Sequence, residues 1–487
     1  MAVTTDKASR ALAGANVITD VEESRVAMKR DLGLVGATSI VVGMIIGSGI
    51  FISPKNVLQA TGSVGLCLVI WVVAGIAQLG TALCFAELGA MIPRYGGAYT
   101  YIRMGLGNPL AFVYVLQLVT VIAPSSTVIV LLTFGKYTVT LLPVCGSPVY
   151  LEKFIAATVL VGLALVNVYS SRLSGYISVL TMFGKISALL VIILGGLVAI
   201  ARGTTSELGL AFSGTSQEPI SLALAMYGAS YSYGGGENLN LVAEEIKNPT
   251  KTLPRAAILG MLMVVVIYVL TNVAYLAVMT RAELLDSPAV AVLFADRVLG
   301  AAATLIPVAV LVSTFGTANN SIFSRSRLVY AAARDGNFPE VLSYVQVKQL
   351  TPLGGMTLMV TVTLILLAPA DVTTLMNYIG FLGAFFHGCV YVCLIRFRLQ
   401  TMRDAQRPIK IPLVIPVLML LLSLYLFVAP LAISPDLRYV YVAAGVFGVA
   451  ACLYLPFVHF RLSLPYYDKL VTWTQLVFEV CPPTKIE

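Results

Sequence analysis

Two short stretches hold residues whose types and spacing suit the binding of a small charged solute. Ile45-Ile46-Gly47-Ser48-Gly49-Ile50-Phe51 sets two glycines and a serine inside a branched apolar run. Glycine weakens a helix by about 1 kcal/mol relative to alanine, so the backbone there unwinds easily. Unwound backbone survives in a bilayer only where protein, water or ligand satisfies its amides and carbonyls. Free N–H groups of Gly47, Ser48 and Gly49 opening a half-helix would hold a carboxylate, because the amides and the helix dipole both favour an anion. The competing reading is a tight helix contact built on small residues. Tyr231-Ser232-Tyr233-Gly234-Gly235-Gly236-Glu237 tips the balance, since three consecutive glycines followed by an acid cannot be routine helix interior.

Lys185, in Thr181-Met182-Phe183-Gly184-Lys185-Ile186-Ser187, is the remaining residue that demands chemistry. An ammonium deep inside an apolar span is costly and by default functional, with backbone carbonyls or a cavity as its partner. Snorkelling is the alternative, but it suits helix ends. Glu87, Glu244 and Glu245 fall near helix ends and read equally well as hydrated or salt-bridged structural acids. His387 reads as a core residue, and with His459 it completes the histidines, too few for an imidazole-rich metal centre or proton relay. No metal and no cofactor are expected. No nucleophile motif with an evident base points to an enzyme, and no ring of acids or repeated filter signature points to a channel.

The elements that must carry these residues follow from composition. Of 487 residues 58% are hydrophobic and 11% charged, whereas soluble chains carry about a quarter charged. A dozen spans of about 20 residues would use half the chain and leave no room for a large soluble domain. Apolar runs fall at roughly Leu34–Ile52, Gly65–Phe85, Leu110–Thr133, Phe154–Val168, Ile177–Ala201, Ile220–Tyr233, Ala256–Met279, Ala301–Ile322, Pro352–Leu367, Val372–Ile395, Ile411–Ala432 and Val440–Val458. These twelve predict an all-α membrane protein of twelve transmembrane helices. Some thirty mostly polar residues precede the first run, so it does not read as a cleaved signal peptide.

Alternate loops carry 23 lysines and arginines on one side and 7 on the other, Lys185 accounting for the last of 31. That asymmetry puts both termini in the cytoplasm and makes the net charge of +8 largely a matter of topology. The two glycine-interrupted helices, the first and the sixth, occupy corresponding places if the first ten spans form two halves of five. Such a pairing points to a transporter with inverted repeats and a midplane substrate site. The chain then divides into a cytoplasmic tail (1–30), a transporter domain (31–460, with repeats 31–202 and 203–400 and two further helices in 401–460) and a cytoplasmic tail (461–487). Cys145 is alone in the predicted extracellular loop, which suggests an intermolecular bridge or, alternatively, a free thiol. The only glycosylation sequon, Asn319-Asn320-Ser321, lies within a span and should be unreachable.

From Leu32 to Pro483 the chain resembles the light subunits of heteromeric amino-acid transporters, the L-type family of the amino acid, polyamine and organocation superfamily. The resemblance is carried by GMIIGSGIFISPKNVL (43–58), LCFAELGAMIPRYGGAYTYI (83–102), EEIKNPTKTLPRA (244–256) and STFGTANNSIFSRSRLVYAAARDGNFP (313–339). RPIKIPLVIPVLM (407–419) and EVCPP (479–483) are most similar to its cystine and dibasic exchanger branch. The resemblance implies a LeuT-like 5+5 inverted repeat with helices 1 and 6 broken, plus two C-terminal helices. It implies that the Gly47, Ser48 and Gly49 amides bind the substrate carboxylate, and that carbonyls of Ile45, Tyr231 and Gly234 accept from its amino group. The implied substrate set is Ile45, Ile46, Gly47, Ser48, Gly49, Tyr231, Tyr233, Gly234, Gly235, Gly236 and Glu237, with Tyr231 as an aromatic gate. Lys185 would stand where sodium-coupled relatives hold a sodium ion, implying sodium independence. Cys145 would join a single-pass glycoprotein heavy chain of the rBAT type or a related one by a disulfide, at the plasma membrane.

The sequence departs from the dibasic branch in the sixth span, where Gly234, Gly235 and Gly236 replace an acid, a glycine and a tryptophan. Losing the acid removes a partner for a cationic side chain, and losing tryptophan enlarges the pocket. The expectation is therefore exchange of neutral amino acids, large and aromatic ones included. Glu237 could restore an acid from a shifted position, which keeps cystine and dibasic exchange as the alternative. Proton-coupled symport, with Lys185 as the titrating group, is a further one.

Overall fold

The computed structural model describes residues 33–92, 97–142, 148–203, 206–209, 211–235, 248–287, 289–347, 351–403, 405–432, 438–460, 462 and 467–481. The predicted N-terminal tail (1–30) and the residues Cys145, Gly236, Glu237, Glu244 and Glu245 lie outside the described residues.

The protein is built from helices: α1 (Leu34–Ile45), α2 (Gly49–Thr61), α3 (Val64–Met91), α4 (Ala98–Leu106), α5 (Asn108–Leu141), α6 (Val149–Tyr169), α7 (Ser171–Ala201), α8 (Pro219–Tyr233), α9 (Pro249–Val278), α10 (Arg281–Asp286), α11 (Val290–Leu299), α12 (Leu305–Arg334), α13 (Leu353–Leu367), α14 (Val372–Thr401), α15 (Val414–Ala432), α16 (Arg438–His459) and α17 (Tyr467–Phe478). Two two-residue strands, β1 (Val345–Gln346) and β2 (Val480–Cys481), pair antiparallel. Among the described residues nine helices are long and apolar enough to cross a membrane, or ten when the bent pair α1 and α2 counts as one. The predicted sixth and ninth spans form α8 and α13, each of 15 residues. At about 1.5 Å per residue each is roughly 22 Å long, short of the hydrocarbon thickness of about 30 Å.

Local chemistry sets many of the boundaries. Ser63 Oγ accepts from the Leu66 amide, Ser170 Oγ from that of Leu173 and Asp371 Oδ2 from that of Thr374, satisfying otherwise orphaned N–H groups. Within α5 a π turn at Leu118–Ile122 ends two residues before Pro124. Proline cannot donate to the preceding turn and its ring crowds a carbonyl there, so the helix widens instead of breaking.

The packing interleaves the two halves of the chain. α9 lies against α1, α3 and α7, and α8 against α2, whereas α12 lies against α5, α7 and α13. Small residues permit the close approaches. A methyl on Gly316 of α12 would fall 1.9 Å from Thr181 Oγ1 of α7, and one on Gly196 of α7 would fall 2.2 Å from Ala274 Cβ of α9. Buried amides also join helices, since Asn167 Nδ2 of α6 and Ser174 Oγ of α7 both donate to Asn319 Oδ1 of α12, at 2.9 and 3.1 Å.

At the far end of α3, Glu87 is fully buried in an ion pair with Arg398 of α14. Arg398 Nε donates to Glu87 Oε1 at 2.8 Å, the Ile411 amide donates to Oε2 at 3.0 Å, and Arg407 Nε stands 3.8 Å from Oε1. Of the two readings open in the sequence for Glu87, the salt-bridged one describes it.

Candidate substrate site

The first span breaks where the glycines are. α1 ends as the Ile46 amide bonds the Val42 carbonyl at 2.8 Å, and α2 restarts at Gly49 with its axis turned by 56°. Gly47, Ser48 and Gly49 thus sit at the N-terminus of α2, where the first N–H groups have no acceptor within their own helix. Both components of an anion site, amides and the positive end of a dipole, are present there. The small-residue contact weighed as the competing reading is present too, in one residue. A methyl on Gly49 would meet Ser232 Cα of α8 at 2.6 Å, so the break in the first span lies directly on the sixth.

The sixth span ends against the first. Gly234 closes α8 through a 3.4 Å bond from its amide to the Tyr231 carbonyl. Gly235 follows at φ +115°, a conformation suited to glycine, and an added methyl would lie 2.8 Å from the Met44 carbonyl oxygen. Tyr231 and Tyr233, two residues apart on one helix, project to nearly opposite sides. Tyr231 is half-buried in a cluster that includes Ile52 and Phe315, with its hydroxyl 3.4 Å from the Ser126 carbonyl of α5. Tyr233 is wholly buried, donates to the Trp71 carbonyl at 3.0 Å, and packs against the rings of Trp71 and Tyr268. Its contacts are those of a residue that positions α8 against α3.

Lys185 reaches across from α7. Its side chain is 5% exposed and its ammonium donates to the Ile46 carbonyl at 2.9 Å, an oxygen released by the break. Among the described residues no carboxylate lies within 4.0 Å of it. A backbone carbonyl is thus its partner, one of the two options foreseen for an ammonium at that depth.

Tyr268 of α9, which the sequence reading passed over, joins the two breaks. Its hydroxyl lies 3.2 Å from the Ile45 carbonyl and 3.1 Å from the Ser232 carbonyl, and the Gly47 backbone is within bonding reach of the same oxygen. One proton is shared between two acceptors, so the hydroxyl tethers the ends of α1 and α8 at once. A polar atom in the middle of the apolar run Val264-Val265-Val266-Ile267-Tyr268-Val269-Leu270 was the available signal. Ser232 Oγ, beside Gly49, and Ser313 Oγ of α12 are buried and make no protein hydrogen bond among the described residues.

The described members of the expected substrate set, Ile45 through Gly49, Tyr231 and Tyr233 through Gly235, therefore come together from two distant parts of the chain. Helix-terminal amides, backbone carbonyls and a fixed ammonium gathered in a helical membrane protein suit the binding of a small zwitterion. His387 stacks edge-on to Phe85 and lies beside Tyr391, as a core residue does.

Comparison with known proteins bears on the same point. A family model described as amino acid permease matches residues 32–452. The b(0,+)-type amino acid transporter 1 of Homo sapiens is 38% identical over 469 residues, covering 96% of each chain. The mouse protein of that name is 38% identical over 465 residues, 94% of each chain. The large neutral amino acids transporter small subunit 2 of Homo sapiens is 41% identical over 414 residues, 84% of this chain and 77% of its own. A match over most of the length, joined to a site that suits an amino acid's two charged ends, identifies the chain as a multi-pass membrane transporter of the amino acid permease family, in its L-type light-subunit branch.

Proposed function

We propose that this chain is a sodium-independent exchanger of neutral L-amino acids, large and aromatic ones included, working as the light chain of a disulfide-linked heterodimer in the plasma membrane. The observation that carries the reading is the meeting of the two breaks, Gly49 on Ser232 and Gly235 on the Met44 carbonyl, with the Lys185 ammonium on the Ile46 carbonyl. The Gly47, Ser48 and Gly49 amides take the substrate carboxylate, and the carbonyls of Ile45, Tyr231 and Gly234 take its amino group. Gly235, Gly236 and Glu237 shape the side-chain pocket, Tyr231 closes over it, and Ile46 and Tyr233 hold the frame. Lys185 supplies the fixed positive charge that a sodium ion supplies elsewhere.

Alternating access follows when the substrate bridges the two breaks and the loaded site is then exposed on the other side, in a 5+5 inverted repeat (31–202 and 203–400) followed by two helices. Both termini face the cytoplasm, which the 23-to-7 division of basic residues supports. Cys145 joins the heavy chain. The words small subunit in one relative's name support a partner. That relative's name speaks of large neutral amino acids and the other's of the b(0,+) type, so neutral and cystine or dibasic substrates are the two outcomes to separate.

The test is a competition panel of tyrosine, leucine, alanine, lysine, cystine and glutamate on the chain co-expressed with a heavy chain. Inhibition by tyrosine and leucine is expected. Inhibition by lysine and cystine alone would establish the dibasic reading instead. Replacing sodium by choline should leave uptake unchanged, and efflux that needs no external amino acid would refute obligatory exchange. An imposed pH gradient that drives net uptake would favour the proton-coupled alternative. Gly236→Trp should narrow the pocket and depress aromatic uptake, and Cys145→Ser should abolish the disulfide-linked band on a non-reducing gel.

A further inference from the structure

The last described helix, α17, presents its apolar side outward. Lys469, Thr472, Trp473, Leu476 and Val477 recur at i, i+3, i+4, i+7 and i+8 and form one stripe. All five are exposed, Trp473 by 56%, Leu476 by 76% and Val477 by 52%. Val471, Thr474 and Gln475, on the other side, are partly covered. An amphipathic helix in water turns its apolar stripe toward the protein and its polar residues outward. Here the apolar stripe is the outward one, led by a lysine and centred on one of the two tryptophans in the chain.

Two constraints fix where that stripe lies. α16, of which few residues are fully buried by protein, ends at His459, and α17 begins eight residues later. Eight residues reach at most about 29 Å. The other end is tied down, since β2 begins two residues after α17 ends and pairs with β1, the segment between α12 and α13. The Val347 amide also donates to the Glu479 carbonyl at 3.0 Å. Glu479 turns the chain between helix and strand at φ +49°. α17 is therefore held where α12 ends and α13 begins, and Phe460 and Leu462, just past the end of α16, are exposed apolar residues as well.

We propose that α17 is an interfacial helix, with Trp473, Leu476 and Val477 inserted at the boundary between phospholipid headgroups and acyl chains. Tryptophan favours that boundary and lysine favours its phosphate side. Through β2 the inserted helix holds the segment between α12 and α13 to the membrane surface.

The chain has two tryptophans, and Trp71 is wholly buried, so the Trp473 signal is the difference between the wild-type protein and Trp473→Phe. The protein is reconstituted in phosphatidylcholine nanodiscs carrying a nitroxide at acyl carbon 5 or carbon 12, and aqueous iodide is titrated separately. The Trp473 emission should fall at least about two-fold with the shallow nitroxide, less with the deep one, and little with iodide. Quenching by iodide without quenching by either nitroxide would overturn the proposal in favour of a water-exposed helix. Protection from all three quenchers would also overturn it, in favour of a covering protein segment. The double variant Leu476→Glu, Val477→Glu should leave the folded protein monodisperse, since these side chains point away from it, and should raise iodide quenching of Trp473 several-fold.

Discussion

Replacing Gly49 by alanine tests whether α2, at the break in the first span, needs to touch α8. The added methyl would lie 2.6 Å from Ser232 Cα, 2.9 Å from Ser232 Oγ and 3.1 Å from Ser232 Cβ. Carbon atoms rest at about 3.5–4.0 Å, so α8 and α2 must separate by roughly 1 Å. Rotating the serine hydroxyl cannot relieve a contact with Cα, and Ser232 is itself tethered at its carbonyl by Tyr268. Overpacking of this kind costs about 1–3 kcal/mol, which corresponds to roughly a 5- to 150-fold loss if transport needs the closed contact. Intrinsic helix propensity acts the other way, since alanine inside a helix gains up to about 1 kcal/mol over glycine. The sign therefore separates the two accounts. Gly47→Ala is the control, because its methyl would meet nothing closer than the Ile45 carbonyl at 3.8 Å and Thr317 Cγ2 at 3.9 Å. Thermal unfolding of the purified protein and labelled amino-acid uptake in proteoliposomes would be measured on both variants. Gly49→Ala should lower Tm and uptake, while Gly47→Ala should leave Tm near wild type. An unchanged or raised Tm with full uptake in Gly49→Ala would refute the argument from contact.

Tyr268→Phe removes the hydroxyl shared by the Ile45 and Ser232 carbonyls, and a loss of about 1–2 kcal/mol, or roughly tenfold in kcat/KM, is expected from uptake kinetics. Arg398→Met removes the main ion-pair partner of the buried Glu87 carboxylate and leaves it the Ile411 amide and the more distant Arg407, which should cost about 3 kcal/mol and show as poor recovery of folded protein on size-exclusion chromatography. Glu283 of α10 lies outside the spans and is held down to about 2 from an ordinary 4.5, first by the Thr280 amide, then by the Thr280 hydroxyl and Arg297. Its folded pKa lies below the unfolded one, so its contribution to stability is present above about 4.5 and fades as the pH falls toward 2. The Tm difference between wild type and Glu283→Gln should accordingly be constant from pH 7 to 5 and shrink at lower pH, whereas a difference that grows on acidification would contradict it.

The break in the first span and the buried ammonium of Lys185 were legible in advance because their signals are local. A glycine run breaks a helix wherever it sits, and an ammonium inside an apolar run needs a partner whatever surrounds it. The roles within the set were less legible. Tyr231 and Tyr233 look alike in the sequence, yet one borders the breaks and the other is sealed against Trp71 and Tyr268. The C-terminal segment from 461, read only as a tail, carries α17 and β2, whose partner strand begins at Val345. A two-residue strand leaves no periodicity to detect.

By itself the sequence determined the membrane class, most of the long apolar helices and the position of the break in the first span, because hydropathy and glycine content act on each segment independently of the rest. Only the tertiary structure decided which distant atoms satisfy the groups that the breaks set free. Ile46 waits for an ammonium 139 residues away, and Glu87 for a guanidinium 311 residues away. Each such group has many chemically equivalent candidates along the chain. Helix packing selects one of them, through close approaches such as Gly49 on Ser232 that hydropathy alone does not encode.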